Sequence, residues 1–174
     1  RLAFIQTQRR LAICLCVFVL FGLSTGSIIL AQNDPLANLS LEQRVAQMFI
    51  VNLYGNQLTE AGRDFLIRWQ PGGVVLLPEN ITTPNEVTQL TNSYQQTITD
   101  RGGVPLFITI DQEGGMISHL RDGFTVFPVP ALLTATGDVD LAERVGQTMA
   151  QEMLAVGINM DLAPVADLET NPNN

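Results

Sequence analysis

Four β-prone apolar runs, each separated from the next by one helix-forming segment, predict an α/β fold built on parallel strands. The runs fall at residues 48–54, 74–77, 105–110 and 158–162. Glycine or proline punctuates the return to each later strand, at Pro71-Gly72-Gly73, at Arg101-Gly102-Gly103 and at Gly157. Parallel neighbours cannot be joined by a tight hairpin; they need a crossover, which a single intervening helix supplies. An open doubly wound sheet and an eight-stranded barrel share this pattern, and the pattern does not separate them.

In chain order, the domain begins near Ser40. Ser40 and Gln43 have the spacing of a capping box, and Leu41, Val45 and Met48 line one face of the helix that follows. Residues 48–54 (MFIVNLY) then read as the first strand. Thr59 caps a helix over residues 60–69, the Pro-Gly-Gly break ends it, and Val74-Val75-Leu76-Leu77 is a short buried strand. Thr83-Pro84-Asn85-Glu86 combines an N-cap hydroxyl, a proline at the first helical position and a glutamate at the third, and starts a helix that runs to about residue 99. Residues 105–110 (PLFITI) are apolar enough to be covered on both faces, as strands of parallel sheets are. Residues 111–137 read as irregular. Asp138 caps the last helix, which carries Leu141, Val145, Met149 and Met153 on one side, and Gly157 takes its left-handed C-cap before the fourth strand.

Ahead of this domain, Arg9 and Arg10 precede an almost wholly apolar stretch at 11–30 that contains the small residues Ser24, Thr25, Gly26 and Ser27. Such a segment is expected of a signal peptide, or of a membrane anchor, since it approaches the ~20 residues that span a bilayer. Residues 1–31 are therefore expected to export the rest, leaving it secreted, periplasmic or tethered to the outer face of a membrane. Residues 32–39 (QNDPLANL) form a polar linker. Cys14 and Cys16 both fall in the leader, so the domain at 40–174 has no thiol. Beyond the leader, six arginines and no lysine face 17 carboxylates, a net charge of −11. A phosphate backbone would be repelled, which excludes nucleic acid as a partner. No G-x-G-x-x-G follows a strand and no His, Cys and carboxylate set has ligand spacing, so no dinucleotide, other cofactor or metal is expected. Membrane contact is expected only through the N-terminal segment.

In either parallel architecture, ligands meet the carboxyl ends of the strands. Those ends are polar here: Asn52 and Tyr54, then Glu79 and Asn80, then Asp111, Gln112 and Glu113, and finally Asp167, Glu169 and Asn171. Carboxylates, amides and an aromatic ring suit sugar hydroxyls; they are also ordinary loop residues. The most distinctive segment is Ile110-Asp111-Gln112-Glu113-Gly114-Gly115, where two glycines behind a strand permit a tight turn and close approach of backbone to a ligand. Its other reading is a simple turn capped by Asp111.

The run ITIDQEGG, followed by HLRDGFTVFPVP, AERVGQTMAQEMLAVGINMDLAPVADL and NPNN, resembles the N-terminal half of the barrel in family-3 glycoside hydrolases, in particular the β-N-acetylhexosaminidase (β-N-acetylglucosaminidase) branch, over about residues 39–174. The resemblance implies a (β/α)8 TIM-type barrel, of which about four βα units, the first half, are present here. It implies hydrolysis of terminal β-linked sugars, N-acetylglucosamine above all, from oligosaccharides or cell-wall fragments, with retention through a covalent glycosyl-enzyme. It also implies that Asp111 holds hydroxyls of the terminal sugar and that Arg121 keeps the family pattern at the substrate.

Family members commonly carry arginine directly after the two glycines and again three residues later, where this chain has Met116 and His119. Imidazole can donate to a hydroxyl but lacks the guanidinium fork. His119 is therefore either a substrate-site residue or an ordinary loop residue, and the alternative for Arg121 is an ion pair with Asp122 or Asp138. The catalytic residues are expected beyond Asn174: a histidine with an aspartate partner as acid/base in a KHFPGHG-like loop, and an aspartate nucleophile. Asp111 and Glu113, two apart on one turn, would not flank a glycosidic bond from opposite sides. Alone, this chain is expected to be inactive. A β-glucosidase of the same family and a non-catalytic carbohydrate-binding envelope protein are the alternative functions.

Overall fold

The structure is a computed structural model that describes residues 34–167 and residue 170. Residues 1–31, expected to be a signal peptide or membrane anchor, and Glu169 and Asn171 lie outside the described residues. The chain divides into two units, Arg1–Ala37 and Asn38–Asn174. In the described end of the first, the Leu36 N–H donates to the Asp34 carboxylate at 2.9 Å. The second unit holds α1 (Leu41–Ala46), β1 (Ile50–Val51), α2 (Glu60–Trp69), β2 (Gly73–Leu76), a 3-10 turn (Pro78–Asn80) and α3 (Pro84–Thr99). It continues with β3 (Phe107–Ile110), β4 (Gln112–Gly114), β5 (Ile117–Ser118), α4 (Pro130–Thr136), α5 (Val139–Ala155) and β6 (Met160–Asp161).

Helices begin where the sequence signals them, because each expected cap side chain receives an N–H that the first turn leaves without a partner. Ser40 and Gln43 form a reciprocal capping box on α1. The Thr59 hydroxyl accepts from the Gly62 N–H at 3.1 Å. Thr83 and Glu86 form the second capping box, with Pro84 at the first helical position. The Asp138 carboxylate accepts from the Leu141 N–H at 2.9 Å. At the far ends, α2 stops at Gln70, a left-handed residue with φ 48°, and Gly157 turns the chain with φ 81°.

Four strands pair in parallel in the order β1-β2-β3-β6. Every new parallel strand is therefore added to the same edge. A doubly wound sheet reverses its direction of growth at a switch point, whereas a barrel grows one way until it closes. The strand order thus supplies what the sequence pattern lacks, and it is that of a (β/α)8 barrel, with a partial barrel of four parallel strands in view.

The register puts Ile50, Gly73 and Phe107 on one level and Leu76, Ile110 and Asp161 on another. Side chains alternate across a strand. Val74, Leu76, Ile108 and Ile110 are fully buried among Leu66, Val87, Leu90, Tyr94 and Ile98 of α2 and α3 and Met153 of α5. On the other parity, Ile50, Phe107 and Met160 are 41%, 57% and 37% exposed. The first strand is shorter than residues 48–54 suggest, because among the described residues it pairs on one side only, with β2. The apolar face expected of α1 finds no cover there either, since Leu41, Val45 and Met48 are all exposed. Residues 111–137, expected to be irregular, contain the antiparallel pair β4–β5 and the helix α4.

One buried amide joins the loops behind β1 and β2. Asn80, 1% exposed, donates through Nδ2 to Leu53 O and Gly55 O, both at 2.7 Å. Its Oδ1 accepts from the Leu77 N–H at 2.8 Å and from Asn52 Nδ2 at 3.1 Å. A buried amide is favourable when all its capacity is used, and costly groups are left behind when it is removed. Replacing Asn80 by Ala is expected to lower unfolding free energy by about 3 kcal/mol, since two carbonyls and an N–H lose their partners. Urea denaturation of parent and variant checks this.

Candidate functional site

The carboxyl ends of β3 and β6 bring three acids together. Asp111 follows Ile110 directly and is half-buried, and Ile110 is in register with Asp161. The Asp161 carboxylate accepts the Gln112 N–H at 3.0 Å. Burial pushes the Asp161 carboxyl above its ordinary range; the Gln112 N–H opposes that, and the charges of Asp111 and Glu113 add to the rise. The segment that resembles the family motif is thus held to the sheet by the next parallel strand, and its acidic character is felt at Asp161.

The same residue that anchors the motif shapes the loop after it. The Gln112 side chain, on a residue 2% exposed, accepts through Oε1 from the N–H groups of His119 and Leu120, at 2.9 and 3.1 Å. Its Nε2 donates to Leu120 O at 3.3 Å. Gln112 therefore works as a surrogate strand partner across the hairpin. The reversal itself needs glycine. Gly114 and Gly115 have φ of 94° and 62°, and a Cβ on Gly114 would collide with Pro128 O. The two glycines that stand out in the sequence are required by backbone conformation and by close approach of residues 127–129.

His119 and Arg121 face one cavity of about 640 Å³, shared with Pro78, Ile81, Met116, Ser118 and Asp122. Arg121 does not form the ion pair considered for it: it donates from Nε to Ser118 O at 2.8 Å, and from Nη2 to Gly115 O and Met116 O, each at 3.1 Å. Asp138 instead lies 3.9 Å from Arg144. Met116, 88% exposed, extends from the turn that Arg121 holds. Asp111 is not among the residues that line this cavity; it directly precedes the buried Gln112, with which the hairpin begins. The structure thus brings His119 and Arg121 together and sets Asp111 at the strand end beside them in the chain.

Of the other polar strand-end residues, Asn80 is consumed by internal hydrogen bonds, while Asn52, Tyr54, Glu79 and Asp167 are exposed. Sequence reading missed Gln112 and Asp161 as organisers. The signal for Gln112 was present, as an amide with no assigned task between two acids ahead of a glycine pair; Asp161 was hidden inside a segment read only as the fourth strand.

The glycosyl hydrolase family 3 N terminal domain matches residues 40–174. The β-hexosaminidase of Alkalilimnicola ehrlichii is 36% identical over 125 residues, covering 68% of this chain and 35% of its own length. That of Haemophilus influenzae is 34% identical over 123 residues, covering 68% and 34%. The chain spans about a third of the length of these curated relatives. Among solved structures, a family 3 β-N-acetylglucosaminidase from a Paenibacillus species superposes with a TM-score of 0.74 at 36% identity, over 78% of this chain and 26% of that one. A β-N-acetylhexosaminidase from Beutenbergia cavernae gives 0.68 at 34% identity, over 79% and 41%. Motif, strand order and relatives agree, and the chain belongs to glycosyl hydrolase family 3, its residues 40–174 matching that family's N-terminal domain.

Proposed function

We propose that this chain is the sugar-holding half of an exported glycoside hydrolase that removes terminal β-linked N-acetylglucosamine from oligosaccharides or cell-wall fragments. The observation that carries the reading is Asp111 directly behind the buried Ile110, at the carboxyl end of a parallel strand in a sheet that grows in one direction. Alternation turns Ile110 to the helices, so one residue further the chain offers Asp111 to the opposite face, the inner face of a barrel. The names of the relatives, β-hexosaminidases and β-N-acetylglucosaminidases, support the choice of sugar. Export rests on the arginine pair and apolar run at residues 9–30.

Within the site, an ionised Asp111 would accept from two vicinal hydroxyls of a terminal sugar, a strong, charge-assisted contact. His119 and Arg121 would border the same ring from the hairpin, with Gln112 fixing the backbone that carries them. Retaining hydrolysis needs a nucleophilic carboxylate and an acid/base on opposite sides of the scissile bond, about 5 Å apart. Asp111 and Glu113, two residues apart on one short segment, do not meet that requirement. The bond-breaking groups are assigned to parts of the full-length protein that this chain does not span, and the chain by itself is expected to be inactive.

In the full-length protein, Asp111→Asn should lower kcat/KM on nitrophenyl β-N-acetylglucosaminide by about 10- to 100-fold, the scale of one charge-assisted hydrogen bond. Near-parental kinetics would remove Asp111 from the site, and turnover of the β-glucoside in preference to the aminosugar would select the glucosidase alternative. Gln112→Leu should raise KM several-fold and lower Tm, because one buried and one half-buried N–H group lose their acceptor; steady-state kinetics with thermal melting reads both.

Asp161 gives a pH signature. Its folded-state pKa is raised, so the associated stability is fully present below the unfolded value of about 4 and is lost as pH rises through the folded value. Asp161→Asn keeps an oxygen for the Gln112 N–H and carries no charge. Its Tm should match the parent's near pH 4 and exceed it at pH 7, in paired calorimetric scans.

A further inference from the structure

Two carboxylates, one on α5 and one on β6, hold the two ends of the segment that carries His119 and Arg121. At its start, Asp161 accepts the Gln112 N–H at 3.0 Å. At its far end, Glu152 of α5 takes both donors of one residue: its Oε2 accepts the Thr125 N–H at 3.0 Å and its Oε1 accepts the Thr125 hydroxyl at 2.5 Å. Such a charge-assisted pair fixes backbone and side chain together. Glu152 stands in the last turn of α5, where the helix dipole disfavours negative charge and no basic residue offsets it. The helix itself therefore gives no reason for an acid at this position, whereas Thr125 does.

The clamp holds a strap, residues 121–129, that leaves the hairpin and folds back over it. The strap returns at Phe127, 6% exposed, whose O accepts the Gly115 N–H at 2.9 Å. Beside it, Pro128 O and Val129 occupy the space that Cβ atoms on Gly114 and Gly115 would need. Gly115 is thus gripped twice, its N–H by the strap and its O by Arg121 Nη2 at 3.1 Å. Between the inward-turned Phe124 and Phe127, Thr125 and Val126 are exposed, so packing does little to hold the middle of the strap. Glu152 holds it instead. A shift at Thr125 is passed through the strap to Gly115, to the Arg121 guanidinium and to the cavity that Arg121 and His119 line.

We propose that Glu152 is a positioning residue for the substrate site: by fixing Thr125 it sets the strap against the Gly114-Gly115 turn and so sets the pose in which Arg121 and His119 meet the sugar. It touches no substrate and acts only through Thr125 and the strap. The role rests on the sugar-binding reading given above, and it assigns to α5, a helix outside the cavity, control over how tightly the cavity binds.

The test compares the full-length parent with Glu152→Ala, Glu152→Gln, Thr125→Val and Thr125→Ser. It measures kcat and KM on nitrophenyl β-N-acetylglucosaminide, calorimetric affinity for N-acetylglucosamine, and Tm. Glu152→Ala is expected to raise KM and weaken sugar affinity by about tenfold, with kcat within about twofold of the parent, because the binding groups shift and the bond-breaking groups do not. Thr125→Val, which keeps the N–H contact, should lose several-fold, and Thr125→Ser, which restores the hydroxyl, should recover parental KM. Glu152→Gln, which keeps the shape without the charge, should fall between parent and Glu152→Ala. Glu152→Ala combined with Thr125→Val should be no worse than Glu152→Ala alone, since both remove one contact. Parental KM and affinity in Glu152→Ala, with or without a lower Tm, would reduce Glu152 to a stability role and overturn the proposal, as would full additivity in the double variant. A parent that binds N-acetylglucosamine without turnover, and binds it about tenfold more weakly as Glu152→Ala, keeps the positioning role and removes the hydrolase reading. A parent that neither binds nor hydrolyses the sugar removes both.

Discussion

The parallel pairing of β2 with β3 is the constraint from which the rest of the domain follows. All four residues of each strand are matched, from Gly73 with Phe107 to Leu76 with Ile110. Because the strands point the same way, one parity of both turns to the same helices, and Val74, Leu76, Ile108 and Ile110 make a continuous buried floor. For the same reason both chains leave the sheet at one end, so Glu79, Asn80 and Asp111 emerge together. The close approach that the pairing demands is visible at Gly73, where a Cβ would stand 2.5 Å from Phe107 O. Apolar packing below and polar groups above are two outcomes of a single pairing direction.

Around this floor, side-chain amides complete pairings that the short strands leave unfinished. Asn159 accepts the Ile108 N–H at 2.8 Å and donates to Leu106 O at 3.1 Å, extending the contact between β3 and β6 by one side chain. Asn80 joins the loops after β1 and β2, and Gln112 joins the two limbs of the hairpin. An amide carries a donor and an acceptor on one planar group, so it can stand in for a peptide unit. Strands of two to four residues suffice because these amides carry pairing past their ends.

Four of the five α-helices and three of the strands were legible in the sequence to within a residue or two, since their signals are local: a cap hydroxyl at Thr59 or Thr83, an apolar run at 105–110, a glycine at 157; α4, whose N-cap Val129 offers no side-chain cap, was not. The barrel direction of growth was not legible from periodicity, because it is a property of which strands meet; resemblance supplied it and the order β1-β2-β3-β6 agrees. The first strand was read too long because apolarity at Met48 and Phe49 was taken as pairing, and both are exposed. The hairpin at β4 and β5 was missed because it has no alternation to detect; its register comes from the Gln112 side chain and from two left-handed glycines. At the site, residue types at the strand ends were visible in advance, but their division of labour was not. Asn80 and Asn52 look alike in sequence, and only burial separates an internal strut from an exposed rim residue.

The way Arg121 is held bears on how this loop can change over evolutionary time. Its guanidinium reaches three different main-chain oxygens from two of its nitrogens. A lysine, with one compact head group, could not satisfy carbonyls arrayed around a turn in this manner. His119, two residues earlier, contributes only its backbone to the hairpin's internal bonding, and its imidazole supports no part of the frame. Drift at these neighbouring positions is therefore unequal: the side chain at 119 can be exchanged to suit a different ligand, while the one at 121 is locked by the shape of the turn.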